Sequence, residues 1–203
     1  MGEAARPYHH GDLWRALLEA AETILEREGT GRLTLRAVAR EAGVSHAAPA
    51  HHFGDLTGLL SELAAIGYAR FRDRLAAARD AAPTDALHAL GVAYVAFART
   101  HPGLFTLMFR SDRIDMQRPS LCAAADSAWE VLGRGVAAAQ AVPGAPLDDL
   151  AHRIAPWALA HGLAFLLIDG RLDPQLAALP QGARDMDALL RATLRALVLR
   201  HAR

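Results

Sequence analysis

The stretch from Thr34 to Phe53 constrains the fold of this chain more than any other part of its sequence. The hydroxyl of Thr34 can cap the start of a helix, and small or apolar residues then recur at helical spacing. Gly43 can adopt the left-handed conformation that ends one helix and turns the chain sharply, and Ser45 is placed to cap the next helix. The pattern therefore predicts a helix-turn-helix motif whose second helix covers about residues 46–52.

The second helix of this motif carries polar side chains but no acid. An acid in the major groove of DNA would face phosphate, so this composition favours an element that lies in that groove. The predicted contacts with double-stranded DNA lie on the N-terminal arm and on the helix-turn-helix, and they are Arg6, His10, Thr34, Arg36, Ser45, His46, Ala47, Ala48, Ala50 and His51.

Residues 1–70 resemble the DNA-binding headpiece of the TetR/AcrR family of transcriptional regulators. The resemblance is carried by Thr34, Ala39, Gly43, Val44, His52, Phe53, Leu59 and Leu60. Further along, residues 101–109 and the segment from Trp157 to Gly162 resemble one C-terminal subclass of that family, named for its Trp…His-Gly signature. The resemblance implies a homodimeric repressor that binds a palindromic operator and responds to a small apolar or amphipathic effector.

Two positions depart from the family pattern. Family members commonly carry tyrosine where this chain has Ala50 and lysine where it has Leu56, and both of those side chains would contact DNA phosphates. Because phosphate contacts supply much of the affinity and little of the sequence reading, the departures predict weaker DNA binding without a change of fold. They also leave an alternative open, an all-helical small-molecule binding protein whose headpiece has lost its DNA function.

Apolar residues at helical spacing, interrupted by glycine and proline, predict an all-α chain of about nine helices. A three-helix headpiece at residues 1–55 would hold the helix-turn-helix, and residues 56–203 would form a helical domain for ligand binding and dimerisation. Asp12 is the expected cap of a first helix that ends near Gly29. Beyond the motif, helices are predicted at about 56–78, 85–100, 102–109, 120–141, 147–169 and 184–201, with loops at 111–118 and 173–184.

Trp157 and His161 are four residues apart and would share one helix face, next to a kink that Pro156 is expected to introduce. Such a kink can open a cavity, although the same residues also suit a helix interface or the protein core. The predicted lining of an apolar effector pocket comprises Phe97, Phe105, Met108, Phe109, Trp129, Trp157 and His161. Plain core packing is the alternative for these aromatic side chains.

The last two long helices carry apolar faces that a single chain of this size would cover only in part. In the TetR family this helix pair packs against its symmetry mate as a four-helix bundle, and a two-fold dimer would double the contacts with DNA. The predicted dimer interface comprises Leu159, Leu163, Leu166, Leu190, Leu194 and Leu197.

Composition restricts the location of the protein and the way it can bind DNA. Arginines and acids balance at 22 each and there is no lysine, so DNA binding must depend on how the charge is distributed. The single cysteine, Cys122, excludes an internal disulfide and suits a reducing cytoplasm. The sequence shows neither a secretory signal nor an uninterrupted apolar run of membrane length, so we expect a cytoplasmic protein with no membrane contact.

Histidines are frequent in the headpiece, but their spacing does not converge on one metal ion. His51 and His52, for example, would point about 100° apart on a helix. The chain also shows no glycine motif for phosphates and no convincing pairing of a nucleophile with a histidine. We therefore expect no metal, no cofactor and no enzyme activity.

Overall fold

The computed structural model describes residues 10–139, 146–181 and 185–198. Within these ranges the chain is helical and contains no strand, which confirms the predicted all-α fold class. Arg6 lies outside the described residues, as do the side chains of His10, Leu194 and Leu197. The ten described α-helices are α1 His10–Glu28, α2 Leu35–Glu41, α3 Ala48–Phe53, α4 Leu56–Ala81, α5 Ala86–Thr100, α6 Pro102–Arg110, α7 Pro119–Ala139, α8 Pro146–Ile168, α9 Asp173–Ala178 and α10 Met186–Val198.

Three details of the helices differ from the sequence predictions. Helix α1 starts at His10, so Asp12 lies inside its first turn instead of capping it. Helix α3 starts at Ala48, two residues later than predicted, because the two preceding residues form a turn. Helix α9 occupies part of a segment predicted as a loop. Pro174 favours this extra helix, because proline at a helix start has the required backbone angle and lacks only an amide that would be unpaired there.

The chain packs as two compact units. The first contains the residues up to Gly67 together with Gly103–Ala123, and the second contains Tyr68–Pro102 together with the rest of the chain. The boundaries between the units therefore fall inside α4, after the first residue of α6 and inside α7. The predicted division after residue 55 stays a prediction, and packing places α6 and the loop after it in the unit that holds the helix-turn-helix.

The core of the first unit is built on one face of α1. The expected apolar stripe of this helix is buried from Leu17 to Ile24, whereas Leu13 is half-buried. Gly67 on α4 allows α6 to approach closely, since a Cβ at this position would lie 2.7 Å from the sulfur of Met108 and 3.0 Å from Leu104. The fully buried residues of this unit include Leu17, Leu33, Val38, Ala39, Leu59, Leu60, Leu63 and Leu104.

The second unit is organised by α5, which packs along α8 and also contacts α10. The ring of Phe71 contacts those of Tyr94 and Phe97, at centroid distances of 4.9 and 5.1 Å, and all three residues are buried. Gly135 on α7 is required for close packing, because a Cβ there would collide with the side chain of Leu90. Aromatic packing and close helix approach therefore define this core.

One described helix segment, Leu150–Ile168 within α8, is long and apolar enough to cross a membrane by length and composition alone. A helix that packs against other protein passes the same test, so the finding does not by itself indicate a membrane span. The helix continues through Pro156 without interruption.

Candidate functional site

The helix-turn-helix begins where Thr34 caps α2. The Thr34 hydroxyl accepts a hydrogen bond from the backbone N–H of Ala37 at 3.1 Å, as the sequence predicts. The turn after α2 contains Gly43, whose φ of +67° lies in the left-handed region that favours glycine. The N–H of Val44 then donates to the carbonyl of Ala39 at 3.0 Å, which closes the corner between the helices.

Ser45 stabilises the turn before α3 instead of capping the helix itself. Its hydroxyl accepts from the N–H of Ala47 at 3.3 Å, and its carbonyl accepts from the N–H of Ala48 at 3.0 Å. Because α3 begins at Ala48, Pro49 lies in the first turn, where the missing N–H costs no helical hydrogen bond. The late start of α3 explains how so short a helix accommodates a proline.

Helix α3 has a buried apolar side and an exposed polar side. Phe53 is buried, and its ring contacts those of His52 and Trp14, each with a centroid distance of 6.2 Å. Ala48 is half-buried. The predicted DNA contacts that are exposed are Thr34, Arg36, Ser45, His46, Ala47, Ala50 and His51. This division suits a short helix that lies in a groove of DNA.

Several exposed arginines around the motif carry unpaired positive charge. Glu41 on α2 is neutralised by Arg27 at 3.2 Å, and Arg27 also pairs with Glu28 at 2.7 Å. Near the motif, four exposed arginines make no ion pair with any part of the chain that the structure describes, and they are Arg15, Arg32, Arg36 and Arg40. The surface near the helix-turn-helix can therefore attract phosphate although the chain has no net charge.

Glu26, near the end of α1, is hydrogen-bonded to the start of α6. Its two carboxylate oxygens accept hydrogen bonds from the N–H groups of Gly103 and Leu104, both at 2.9 Å. These amides would otherwise lack a partner, and a carboxylate also interacts favourably with the positive end of a helix dipole. Glycine is needed at position 103, because a Cβ there would lie 2.8 Å from the carbonyl oxygen of Leu25.

The loop after α6 is hydrogen-bonded to residues on both sides of the helix-turn-helix. The guanidinium of Arg113 donates to the carbonyl oxygens of Thr30 and Leu33, just before the cap of α2. The N–H of Asp115 donates to the buried hydroxyl of Ser61 at 2.8 Å. The sequence predicts only a polar loop here, because partners more than fifty residues away leave no local signal.

A partly buried polar cluster links α5 and α8 in the second unit. The indole N–H of Trp157 donates to the hydroxyl oxygen of Tyr94 at 3.1 Å, and that oxygen lies 2.8 Å from Nδ1 of His161. The hydroxyl has two acceptor lone pairs and one proton, so it can accept from the indole and hydrogen-bond with either tautomer of the imidazole. Burial raises the pKa of the Tyr94 phenol, so the hydroxyl stays protonated.

The sequence predicts part of this cluster. Trp157 and His161 share one helix face as expected, with ring centroids 5.5 Å apart. Tyr94, which joins them, was not among the predicted site residues. Its position in the apolar stripe of α5, between Leu90 and Phe97, is the signal that could have placed it opposite α8.

A small apolar pocket adjoins the cluster. Its volume is about 20 Å³, which is room for about one water molecule. The residues that line it are Leu87, Leu90, Gly91, Tyr94, Leu132, Pro156, Trp157 and Ala160. Ligand pockets commonly enclose about 300–1,000 Å³, so a larger ligand requires this pocket to widen.

The predicted effector-binding residues are divided between the two units. The second unit contains Phe97, Trp129, Trp157 and His161, and the rings of Trp129 and Trp157 are 5.4 Å apart. The first unit contains Phe105, Met108 and Phe109. The first two of these are buried, and the rings of Phe105 and Phe109 are 4.8 Å apart. Their role in effector binding stays a prediction.

The leucines predicted at the dimer interface differ in exposure. Leu166 is exposed and Leu159 is half-buried. Leu163 and Leu190 are 8% and 3% exposed, because packing within the chain buries both side chains. The role of all these leucines in a dimer interface stays a prediction. A stripe of exposed small and apolar residues recurs every fourth residue along α8, at Leu150, Ile154, Ala158, Gly162 and Leu166, and Ala151 and Ala155 beside it are also exposed. Apart from its two chain neighbours and the backbone of its own helix, no atom of the described chain lies within 4 Å of where a Cβ on Gly162 would be.

Metal ligands are not clustered in the part of the chain that the structure describes. No group of three or more histidine, cysteine or acidic side chains there could hold an ion.

Two sequence families match the chain. Residues 17–63 match the bacterial regulatory proteins of the tetR family, and residues 87–197 match the tetracyclin repressor-like C-terminal domain. No curated protein matches its sequence.

Several solved structures are similar over almost the whole chain. A protein with unknown function from Rhodococcus sp. RHA1 is 36% identical, with a TM-score of 0.75 over 93% of this chain and 94% of that one. A member of the TetR family from Streptomyces coelicolor A3 is 20% identical, with a TM-score of 0.60 over 91% and 97% of the two chains. A multidrug binding protein, EbrR, complexed with imidazole, is also 20% identical, with a TM-score of 0.53 over 90% and 93%.

The two family matches cover the helix-turn-helix and more than half of the chain beyond it, in agreement with the resemblance seen in the sequence. The chain therefore belongs to the TetR family and is a ligand-responsive transcriptional regulator.

Proposed function

We propose that this protein is a cytoplasmic transcriptional repressor that binds a palindromic operator as a homodimer and is released by a small apolar or amphipathic effector. The observation that carries the proposal is the exposed face of the helix-turn-helix. There α3 contains no acid, and the nearby exposed arginines make no ion pair within the described ranges.

DNA recognition would divide between α2 and α3. Arg36 and the Thr34 hydroxyl at the start of α2 would contact phosphates, and Arg6 on the arm and His10 at the start of α1 would extend this contact. Helix α3 and the turn before it would face the bases through Ser45, His46, Ala47, Ala48, Ala50 and His51. Alanine methyl groups at these positions suit contact with the methyl group of thymine.

The proposed affinity is modest and depends steeply on salt. Every phosphate that an arginine neutralises releases counterions, so binding weakens as salt rises. Ala50 is exposed and Leu56 starts α4, so neither position supplies the polar contact that the family pattern provides there.

Dimerisation would use the exposed stripe of α8. A two-fold axis near Gly162 would bring two copies of α8 close together, because glycine leaves room for the backbone of a partner helix. Leu166 and Leu159 would belong to this interface, and Leu150 and Ile154 would extend it. Leu194 and Leu197 would contribute from α10.

The effector would act through a coupling free energy between two sites. A ligand that binds better to one arrangement of the dimer stabilises that arrangement by its difference in affinity. Release of DNA follows if the favoured arrangement separates the headpieces by a distance that does not match successive major grooves, about 34–36 Å apart.

A salt titration of binding to the DNA that flanks the protein's own gene tests the proposal. We expect a specific complex whose affinity falls as salt rises and is strengthened in the variant Leu56→Lys, which adds one phosphate contact. An affinity that is equal for scrambled DNA would contradict the proposal. It would favour a small-molecule binding protein without DNA function.

A further inference from the structure

Arg153 on α8 holds a positive charge among the aromatic residues of the second unit. Its guanidinium carbon lies 5.3 Å from the centre of the Trp129 ring on α7. Its Nε is buried without a hydrogen-bond partner, and no carboxylate pairs with it among the residues that the structure describes. Arg153 as a whole is half-buried, but a buried N–H without an acceptor is costly, so an anion that supplies the acceptor would complete the site.

The packing of α7 against α8 makes room for this guanidinium. A Cβ at Gly133 would lie 2.9 Å from Cζ of Arg153 and 3.0 Å from its Nε. The first distance is shorter than real Cβ contacts and the second is tighter than most of them, so a larger residue at position 133 would displace the guanidinium. Glycine at this position therefore keeps the charge beside Trp129.

Arg153 is also connected to the apolar pocket. Trp157 lies one turn further along α8 and lines that pocket. The ring of Trp129 contacts both residues, since its centroid is 5.4 Å from that of Trp157. A single amphipathic molecule could therefore place its hydrocarbon part in the pocket and its polar end at the guanidinium.

We infer that the effector is an organic monocarboxylate whose carboxylate pairs with Arg153 and whose apolar or aromatic body enters the pocket beside Trp157. The inference rests on the proposed function, because it names the chemical class of its effector. Guanidinium binds carboxylate through two parallel hydrogen bonds and can stack on an aromatic ring at the same time. An uncharged ligand of the same shape leaves the cation unpaired.

Calorimetric titration of the full chain with matched acids and amides tests this inference. The probes are 4-phenylbutyrate and decanoate, compared with 4-phenylbutyramide and decanamide, so that the hydrocarbon is the same within each pair. We expect at least one acid to bind about tenfold more tightly than its amide. Absence of acid binding, or equal binding of acid and amide, would overturn the inference.

Two variants test whether the charge of Arg153 causes the preference for the acid over the amide. In Arg153→Met the preference for the acid over the amide should fall to below about threefold. Thermal unfolding of the variant is the control that it is folded. Arg134→Met is the matched control on α7, because Arg134 is 68% exposed and its only role in the described structure is a weak ion pair with Glu130 at 3.6 Å. Loss of the preference in the control, or its survival in Arg153→Met, would overturn the assignment.

Gly133→Ala is a second test of the same site, because it displaces the guanidinium of Arg153 without removing its charge. Acid binding should weaken more than amide binding in this variant. An unchanged acid-to-amide ratio would show that the position of Arg153 does not matter, which contradicts the inference.

The same measurements distinguish two other sources of the anion, which are Asp149 of the same chain and a second copy of the chain. Asp149 precedes Arg153 by four residues, and its side chain lies outside the described residues. Acid binding that appears only in Asp149→Asn would show that the chain supplies its own anion. Conversion of the dimer to monomer by Arg153→Met, without acid binding to the natural protein, would show that a second copy supplies it. Either result would overturn the inference.

Measurement of DNA binding distinguishes a failure of this inference from a failure of the proposed function. If operator DNA is bound and released but acids have no advantage over amides, the effector class is wrong and the repressor stands. If the acids bind through Arg153 but no DNA is bound specifically, the proposed function is wrong and the anion site stands.

Discussion

Single residues around the helix-turn-helix contribute to DNA binding through charge or through shape. Arg36 is exposed on α2 and has no partner among the described residues, so its proposed contribution is charge. Gly43 contributes shape, because its positive φ creates the corner between α2 and α3. A residue such as Arg36 affects the affinity for DNA alone, whereas a residue such as Gly43 affects the fold of the motif.

Arg36→Ala should weaken binding to operator and unrelated DNA to a similar extent. Loss of one phosphate contact should also reduce the slope of log affinity against log salt by about one unit. Fluorescence anisotropy over a range of salt concentrations measures both effects, and Arg99→Ala on α5 serves as the control. A change confined to base preference would make Arg36 a base reader instead.

The buried tyrosines of the second unit should govern its stability at high pH. Burial raises the pKa of Tyr68 to about 12 and that of Tyr94 further in the same direction. Free tyrosine ionises near pH 10, so the unfolded chain loses these protons first. The contribution to stability is complete below about pH 10 and is lost as pH rises towards about 12.

Urea unfolding as a function of pH measures this effect without interference from lysine, which the chain lacks. We expect the free energy of unfolding to fall by a few kcal/mol between about pH 10 and pH 12. Tyr68→Phe should reduce that fall without abolishing it, because Tyr94 still contributes. An equally steep fall in this variant would mean that Tyr68 is not the group that titrates.

Helix α6 shows how an element is fixed by contacts that are distant in sequence. Glu26 on α1 accepts hydrogen bonds from two amides at the start of α6, and Arg113 after its end binds carbonyls beside the cap of α2. Both ends of α6 are therefore tied to elements of the headpiece. Movement of α6 would strain the same contacts that support the helix-turn-helix.

Glu26→Gln should loosen the start of α6. One amide oxygen can replace only one of the two carboxylate oxygens, and the charge that favours a helix start is lost. We expect a loss of about 0.5–2 kcal/mol in the free energy of unfolding, and faster hydrogen exchange at the amides of Gly103 and Leu104. Glu19→Gln is the control on the exposed side of α1, and equal exchange in the two variants would contradict the prediction.

At the level of the whole molecule, the proposed dimer depends on the exposed stripe of α8. Leu166→Asp should convert dimer to monomer, because burying an unpaired carboxylate costs several kcal/mol. Sedimentation velocity measures the change. Met116→Asp is the control, since Met116 is similarly exposed, at 46% against 44%, but lies in the first unit. An intact dimer in Leu166→Asp would move the interface away from this end of α8.

The sequence by itself determined the features that depend on local chemistry. The cap at Thr34, the turn at Gly43 and the all-α class follow from the hydrogen-bonding, steric and periodic properties of neighbouring residues, and the structure agrees with them. The pairing of Trp157 with His161 was accessible for the same reason, since residues four apart share a helix face.

Only the tertiary structure decided which distant polar groups meet. Glu26 resembles any other acid on α1, and Arg113 any other arginine in a loop, until folding places each beside backbone groups that need a partner. The same holds for Tyr94, whose hydroxyl joins α5 to α8, and for Arg153, whose charge becomes unusual only once it is packed against Trp129. Burial changes the energy of an unpaired polar group by several kcal/mol, and no local pattern in a sequence records where that burial occurs.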